Sequence, residues 1–302
     1  MIITEKLEKR FGDSIAVHAL DLQIQKGEVF GFLGPNGAGI TTTVRMLSSL
    51  IKPTSGSAVI NGFQLGIEDE DIRRSVGVLT ETPGLYENLS AEQNLKLYAE
   101  LYETKNISTQ IDKYLTMLGL YDRRSEIVGT YSKGMKQKLA IARAMVHEPQ
   151  VLFLDEPTAS LDPESSHDLR AFISNLRNEG RTIFLCTHNL VEADRLCDRI
   201  CVFRSEILVV NTPARLRSSI LGRKIVFHLN KMEAKFRELI ISIDFVKEVA
   251  IVENKLVITL DDPDTQNPIL IDKLISEGAK IVFIGELRHS LEDVYLQLMK
   301  EK

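Results

Sequence analysis

The run Gly34-Pro-Asn-Gly-Ala-Gly-Ile-Thr41 constrains this chain more than any other feature. Glu28-Val-Phe-Gly-Phe-Leu-Gly34 before it reads as a buried strand entering a glycine-rich loop. After it, Ile40, Val44, Leu47 and Ile51 fall on one face of an expected helix. Strand, tight loop and helix in that order aim successive backbone N–H groups and the positive end of the helix at one point, which suits a phosphate. The spacing matches G-x-x-x-x-G-K-[ST] at every fixed position except the lysine, where Ile40 stands. In that pattern the Thr41 hydroxyl is a Mg²⁺ ligand.

The surrounding chain supports an α/β fold. From Ile2 to about Leu221, short apolar strands alternate with amphipathic helices. Residues 150–155 and 182–188 read as buried parallel strands. Residues 80–145 carry mainly helical patterns, with Leu95, Leu97, Tyr98, Leu101 and Tyr102 in one helix and Ile111, Leu115 and Leu118 in another. They suggest a helical insert on the α/β core. Residues 222–302 read differently. A strand at 224–229, a helix at 232–242 and a hairpin turning at Asn254-Lys255 come first. A helix at 268–277, a strand at 280–284 and a helix from Ser290 follow. The order βαββαβ suggests a small ferredoxin-like domain. Two domains are thus expected, 1–221 and 222–302, in keeping with 302 residues at about 150 per domain.

Composition narrows the partners. A formal net charge of -5 provides no basic field, so nucleic acid is not expected as a partner. No apolar run approaches the ~18 residues of a membrane span, and the first residues carry no apolar signal core. Cys186, Cys197 and Cys201 lack metal-binding spacing and read as reduced, packed thiols. These features together point to the cytosol.

Val151-Leu-Phe-Leu-Asp-Glu-Pro157 is an apolar strand ending in two acids. Asp155 would complete a Mg²⁺ shell, and Glu156 would polarise an attacking water. With these residues in view, nearly the whole chain resembles the ATP-binding subunit of an ABC transporter, a P-loop NTPase core with an antiparallel β subdomain and a helical subdomain. Tyr131-Ser-Lys-Gly-Met-Lys-Gln-Lys138 resembles the family's signature motif, Ser160-Leu-Asp-Pro163 its D-loop, and His188 its switch histidine. Thr80-Glu-Thr-Pro-Gly-Leu-Tyr86 stands at the Q-loop with Glu81 in place of glutamine, and Phe11 lies where the family stacks an aromatic on adenine. Together with the ending Ser290-Leu-Glu-Asp-Val-Tyr-Leu296, this set resembles the ABC-2 type exporter subunits.

The resemblance implies ATP and Mg²⁺ as ligands. Gly34, Pro35, Asn36, Gly37, Ala38, Gly39, Ile40, Thr41 and Thr42 would form the phosphate loop. Ser132, Lys133, Gly134, Met135 and Asp162 would meet ATP held by a partner subunit. Thr41, Glu81 and Asp155 would hold the metal, while Glu156 and His188 would serve catalysis. It further implies a transmembrane permease as partner, a homodimer or heterodimer of nucleotide-binding subunits, and a cytoplasmic position peripheral to the inner face of the membrane. The domain at 222–302 would be an accessory that packs, strengthens the dimer or senses a ligand.

Ile40 changes the expected activity. A lysine there would bridge β- and γ-phosphate oxygens, whereas isoleucine supplies neither charge nor donor. A lost charged hydrogen bond costs about 1.5–3 kcal/mol, roughly 10- to 100-fold in affinity. A lost preorganised contact in the transition state costs about 10²–10³ in rate. Three readings of Ile40 stand side by side: an incidental or engineered replacement, a hydrolysis-deficient subunit beside an active partner, and a regulator that binds without turnover.

Overall fold

The computed structural model describes every residue except Ser160, Gly222, Arg288, His289, Glu301 and Lys302, and of Ser219, Ile220 and Leu221 only the backbone. It divides into two units, Met1–Thr212 and Pro213–Lys302. The helix Pro213–Leu221, expected to close the first domain, groups with the second.

The first unit begins β1 (Ile2–Phe11), β2 (Ser14–Ile24), β3 (Val29–Leu33), α1 (Ile40–Leu47), β4 (Ser55–Ile60), β5 (Phe63–Gln64), α2 (Asp69–Ser75) and β6 (Val76–Leu79). The helical insert α3 (Ala91–Leu101), α4 (Ile107–Met117) and α5 (Lys133–Met145) follows. The unit ends with β7 (Val151–Asp155), α6 (Pro163–Asn178), β8 (Thr182–Cys186), α7 (Leu190–Leu196), β9 (Arg199–Phe203) and β10 (Ile207–Asn211). One sheet is antiparallel, ordered β2-β1-β4-β5. The other runs β10-β9-β3-β8-β7-β6, parallel from β9 to β6 with β10 antiparallel at its edge.

Strands β3 and β8 are buried at every position, as expected of parallel strands covered on both faces. Their aromatic residues fill the space between layers. The Phe184 ring centroid lies 5.0 Å from Phe32, 5.5 Å from Phe153 and 5.9 Å from Phe30. Such tilted pairs add about 0.5–1.5 kcal/mol each beyond their buried area. Because β3, β7 and β8 are parallel neighbours, their carboxyl ends open on one side, where open α/β sheets bind ligands.

Several expected boundaries move for local reasons. Helix α1 stops at Leu47, because Ser49 turns left-handed at φ +57°. The Leu50 N–H then bonds to the Arg45 carbonyl (2.8 Å) and the Ser49 N–H to that of Met46 (2.9 Å), a paired C-terminal cap. Ile51 still packs against the apolar cluster. Strand β8 ends at Cys186, since the Asn189 N–H is taken by the Thr187 hydroxyl and the His188 N–H by the Glu156 carboxylate. In α3, Leu97 and Leu101 are exposed and the inward face is Ala91, Asn94, Leu95 and Ala99. Asn94 tolerates burial because its amide bonds to both the N–H and the carbonyl of Tyr86.

The second unit comprises α8 (Pro213–Leu221), β11 (Arg223–Leu229), α9 (Ala234–Ile241), β12 (Glu248–Val252), β13 (Lys255–Leu260), α10 (Pro263–Ser276), β14 (Ile281–Leu287) and α11 (Leu291–Lys300). Its antiparallel sheet runs β12-β13-β11-β14. Alternate residues Ile225, Phe227 and Leu229 of β11 and Leu256, Ile258 and Leu260 of β13 join Phe236, Ile240, Leu270 and Leu274 in one core. Two expectations are corrected. The hairpin turns at Glu253-Asn254, with Glu253 at φ +54° and Lys255 already paired with Val252. Helix α10 starts at Pro263, and Pro268, which resembles a helix start, lies inside it.

Phe184→Ala should destabilise the first unit by about 3–5 kcal/mol in chemical denaturation, because the surrounding rings cannot close the space it leaves.

Candidate functional site

The glycine loop is shaped by backbone contact. A Cβ on Gly34 would lie 2.2 Å from the Phe203 carbonyl oxygen, so no side chain fits there. At Gly39 a Cβ would lie 2.1 Å from the Ala16 carbonyl oxygen, and φ is +97°. The Ser205 N–H donates to the Ala38 carbonyl (2.9 Å), and the His18 N–H to that of Ser205 (2.6 Å). Strand β2 and the turn after β9 therefore hold the loop from two sides. Pro35, Asn36 and Gly37 form an exposed crest, and Ala38 is buried.

Helix α1 starts at this loop with no side-chain cap, so its first N–H groups keep their donor capacity. Thr41 is exposed and Thr42 half-buried beside them. The Ile40 side chain packs against the apolar cluster that contains Phe32 and Val44, so it brings no donor to the loop.

Asp155 ends β7, and its carboxyl is pushed up to about 6. Burial is the larger cause, followed by the negative charges of Glu156 and Glu81. Neither Asp155 nor Glu81 makes an ion pair among the described residues. No cluster of three or more His, Cys, Asp or Glu side chains among the described residues is disposed to hold a metal. A Mg²⁺ ion does not require one, because it is held by one or two carboxylates together with water and substrate phosphates. Two carboxyls without a cationic partner fit that mode.

Glu156 is tightly constrained. Its φ is +49°, and its N–H donates to the Cys186 carbonyl at 2.9 Å. Its Oε1 accepts from the His188 N–H at 2.7 Å and lies 2.7 Å from His188 Nδ1. Glu81 follows β6 in a segment clamped by the insert. Arg143 of α5 donates to the Pro83 and Gly84 carbonyls (2.6 and 2.9 Å), and Asn94 of α3 holds Tyr86.

Ser132 caps α5, its hydroxyl accepting from the Met135 N–H at 3.2 Å. Asp162 caps α6 in the same way, through the Ser165 N–H at 2.8 Å. That backbone bond is the first cause holding its carboxyl below the usual range. Gly134 faces the α6 cap, since a Cβ there would lie 3.5 Å from Ser165 Oγ and 4.0 Å from Asp162 Oδ2. Ser160, the first residue of the expected D-loop, lies outside the described residues. Lys133 is exposed beside Gly134. Phe11, at the tip of β1, is 55% exposed and so remains open to stacking. Among the described residues, no hydrogen bond or ion pair joins 132–135 to 34–42.

Sequence reasoning missed Arg143, Gln137 and Glu192. Gln137 Nε2 donates to the Pro157 carbonyl at 3.0 Å, tying α5 to the acidic strand end. Glu192 stands three residues after Asn189 and reads as part of a helix cap, although its side chain turns inward to be 1% exposed.

A glycine loop opening onto a helix, beside a parallel strand ending in two acids, defines an ATP-binding α/β cassette. Residues 17–159 match the family model described as ABC transporter. The sequence is 35% identical to the bacitracin transport ATP-binding protein BcrA of Bacillus licheniformis, over 99% of this chain and 97% of that one. It is 31% identical to the linearmycin resistance ATP-binding protein LnrL of Bacillus subtilis strain 168, over 99% and 98%. A solved ATP-binding subunit of an ABC transporter superposes with a TM-score of 0.68 at 30% identity, covering 72% of this chain and 92% of that one. The chain belongs to the ATP-binding proteins of ABC transporters.

The raised Asp155 carboxyl sets a pH dependence. An unfolded aspartate titrates near 3.9, so the ionised form opposes folding increasingly as pH rises from about 4 through about 6. Asp155→Asn should therefore stabilise the chain above about pH 7 by ~1 kcal/mol, after allowing for solvent screening. The gain should vanish near pH 4, as thermal unfolding without nucleotide or metal at the two pH values would show.

Proposed function

We propose that this chain is the ATP-binding subunit of an exporter whose membrane-crossing part is a separate permease. One observation carries the reading: the glycine loop and uncapped α1 lie at the carboxyl edge of the sheet where Asp155 and Glu156 end β7. Export as the direction of transport draws support from the relatives named for bacitracin transport and linearmycin resistance. No helix among the described residues is long and apolar enough to cross a membrane, so transport by this subunit calls for a permease.

In this reading the backbone of 34–42 cradles the ATP phosphates, and Phe11 stacks on adenine. Thr41, Asp155 and Glu81 hold Mg²⁺, which when bound offsets charge developing on the β- and γ-phosphates. Glu156 accepts a proton from the attacking water. His188 clasps Glu156 by ring and backbone and senses the γ-phosphate. Ser132, Lys133, Gly134, Met135 and Asp162 complete the site of a second subunit placed head to tail. Hydrolysis is slow, because Ile40 leaves the phosphates without a lysine. The accessory unit strengthens the dimer or binds a ligand.

A second reading, a regulator that binds ATP without hydrolysing it, draws support from the half-buried Ile40 side chain, which packs against the core instead of offering a charge to the loop. One experiment separates the two: Mg-ATP binding and turnover by the chain and by its Ile40→Lys variant. The lysine should tighten binding roughly 10- to 100-fold and raise turnover about 10²–10³-fold. Tighter binding with no turnover in either protein would favour the regulator. Equal turnover in both would mean that another group supplies the missing charge.

A further inference from the structure

Glu192, in the first turn of α7, is a buried carboxyl that the proposed mechanism leaves unused. Its Oε2 lies 2.9 Å from the Thr158 hydroxyl and 3.2 Å from the Thr187 hydroxyl, while its Oε1 has no hydrogen-bond partner among the described residues. Thr158 follows Glu156 by two residues, and Thr187 immediately precedes His188. One side chain thus ties together the two segments that carry the proposed base and its histidine.

The Thr187 hydroxyl decides which form of Glu192 fits. It accepts from the Asn189 N–H at 3.0 Å and has a single hydrogen to give. Two carboxyl oxygens lie within its reach, Glu192 Oε2 at 3.2 Å and Glu156 Oε2 at 3.4 Å. If both carboxyls were ionised, one contact would set lone pair against lone pair in a buried site. With a proton on Glu192, every contact becomes a hydrogen bond. Thr158 donates to Glu192, Glu192 to Thr187, and Thr187 to Glu156. The proton belongs on Glu192, which is 1% exposed, and Glu156, whose side chain is 20% exposed and also receives the His188 N–H, is the acceptor at the end of this chain.

The surroundings agree. Burial pushes the Glu192 carboxyl up and the charge of Glu156 adds to it, against the pull of the Thr158 and Thr187 hydroxyls and of Arg170. The Cys197 thiol, which feels the charge of Glu192, is likewise pushed up, chiefly by burial.

We propose that Glu192 is a positioning residue which, as a neutral acid, donates to Thr187 and so turns that hydroxyl onto Glu156. The proposal rests on the assignment of Glu156 as the base that takes a proton from water, and it adds what holds that carboxylate in place.

Two measurements on the full chain test it. The infrared difference spectrum between the native chain and Glu192→Gln at neutral pH should contain the C=O band of one protonated carboxyl. Its absence would overturn the proposal whether or not the chain hydrolyses ATP. Turnover is then compared in the Ile40→Lys background. Glu192→Gln should keep kcat within about twofold, because its amide N–H donates to Thr187 in place of the acid. Glu192→Ala and Thr187→Val should each lower kcat about tenfold with KM for ATP unchanged, and together no further than either alone. An undiminished kcat in Glu192→Ala, or a Glu192→Gln variant as impaired as Glu192→Ala, would also overturn it. Should the Ile40→Lys chain itself show no turnover, the ATPase reading fails, and the infrared band still decides for or against Glu192.

Discussion

A carbonyl oxygen, that of Phe203, occupies the place where a side chain at residue 34 would have to go. The rest of the site follows from this approach. Because Gly34 lies flat against the end of β9, the loop can close over Ala38, which is then held by Ser205, and Ser205 in turn by His18. Gly39 presses on β2 in the same manner. The loop is thus fixed by backbone groups of β2 and of the β9–β10 turn, remote in sequence, and α1 starts at a set point without any side-chain cap. A cradle held by its own backbone exposes N–H groups toward solvent, which is the condition for receiving phosphate oxygens.

At the neighbouring strand end the half-buried Asp155 departs from the usual rule that buried charges are paired. The charges of Glu156 and Glu81 add to burial in raising its carboxyl, and neither Asp155 nor the exposed Glu81 is given a cation by the described residues. Elsewhere the protein satisfies such groups carefully. The buried guanidinium of Arg181 reaches Glu148, the Pro149 carbonyl and the Tyr114 hydroxyl, fastening α4 to the start of β8. The contrast is what the proposed Mg²⁺ role of Asp155 and Glu81 rests on. Arg143 and Gln137 on α5 then connect that acidic region to the insert, through the 83–84 carbonyls and through Pro157.

Much of this was legible along the chain because it rests on local patterns. Continuous apolar runs marked β3, β7 and β8, since parallel strands are buried on both faces. The βαββαβ order of the second unit also followed from periodicity. Misplaced boundaries had particular causes. Pro268 carries a helix-start signal that Pro263, five positions earlier, carries equally well. Leu97 and Leu101 are apolar yet face solvent, while Asn94 is buried because Tyr86, eight residues away, completes its hydrogen bonds.

The sequence by itself determined the glycine spacing, the two acids after an apolar strand and the loss of charge at Ile40. Each of these is a statement about residue type and separation, and each constrains chemistry before any folding is considered. Tertiary structure decided which groups meet. It set Glu156 against His188, packed Ile40 against the core, and folded Glu192 inward onto Thr158 and Thr187. The physical reason is distance along the chain: a hydroxyl with one hydrogen and two carboxyls to serve is a property of three segments brought together, and no local pattern in any of them records it.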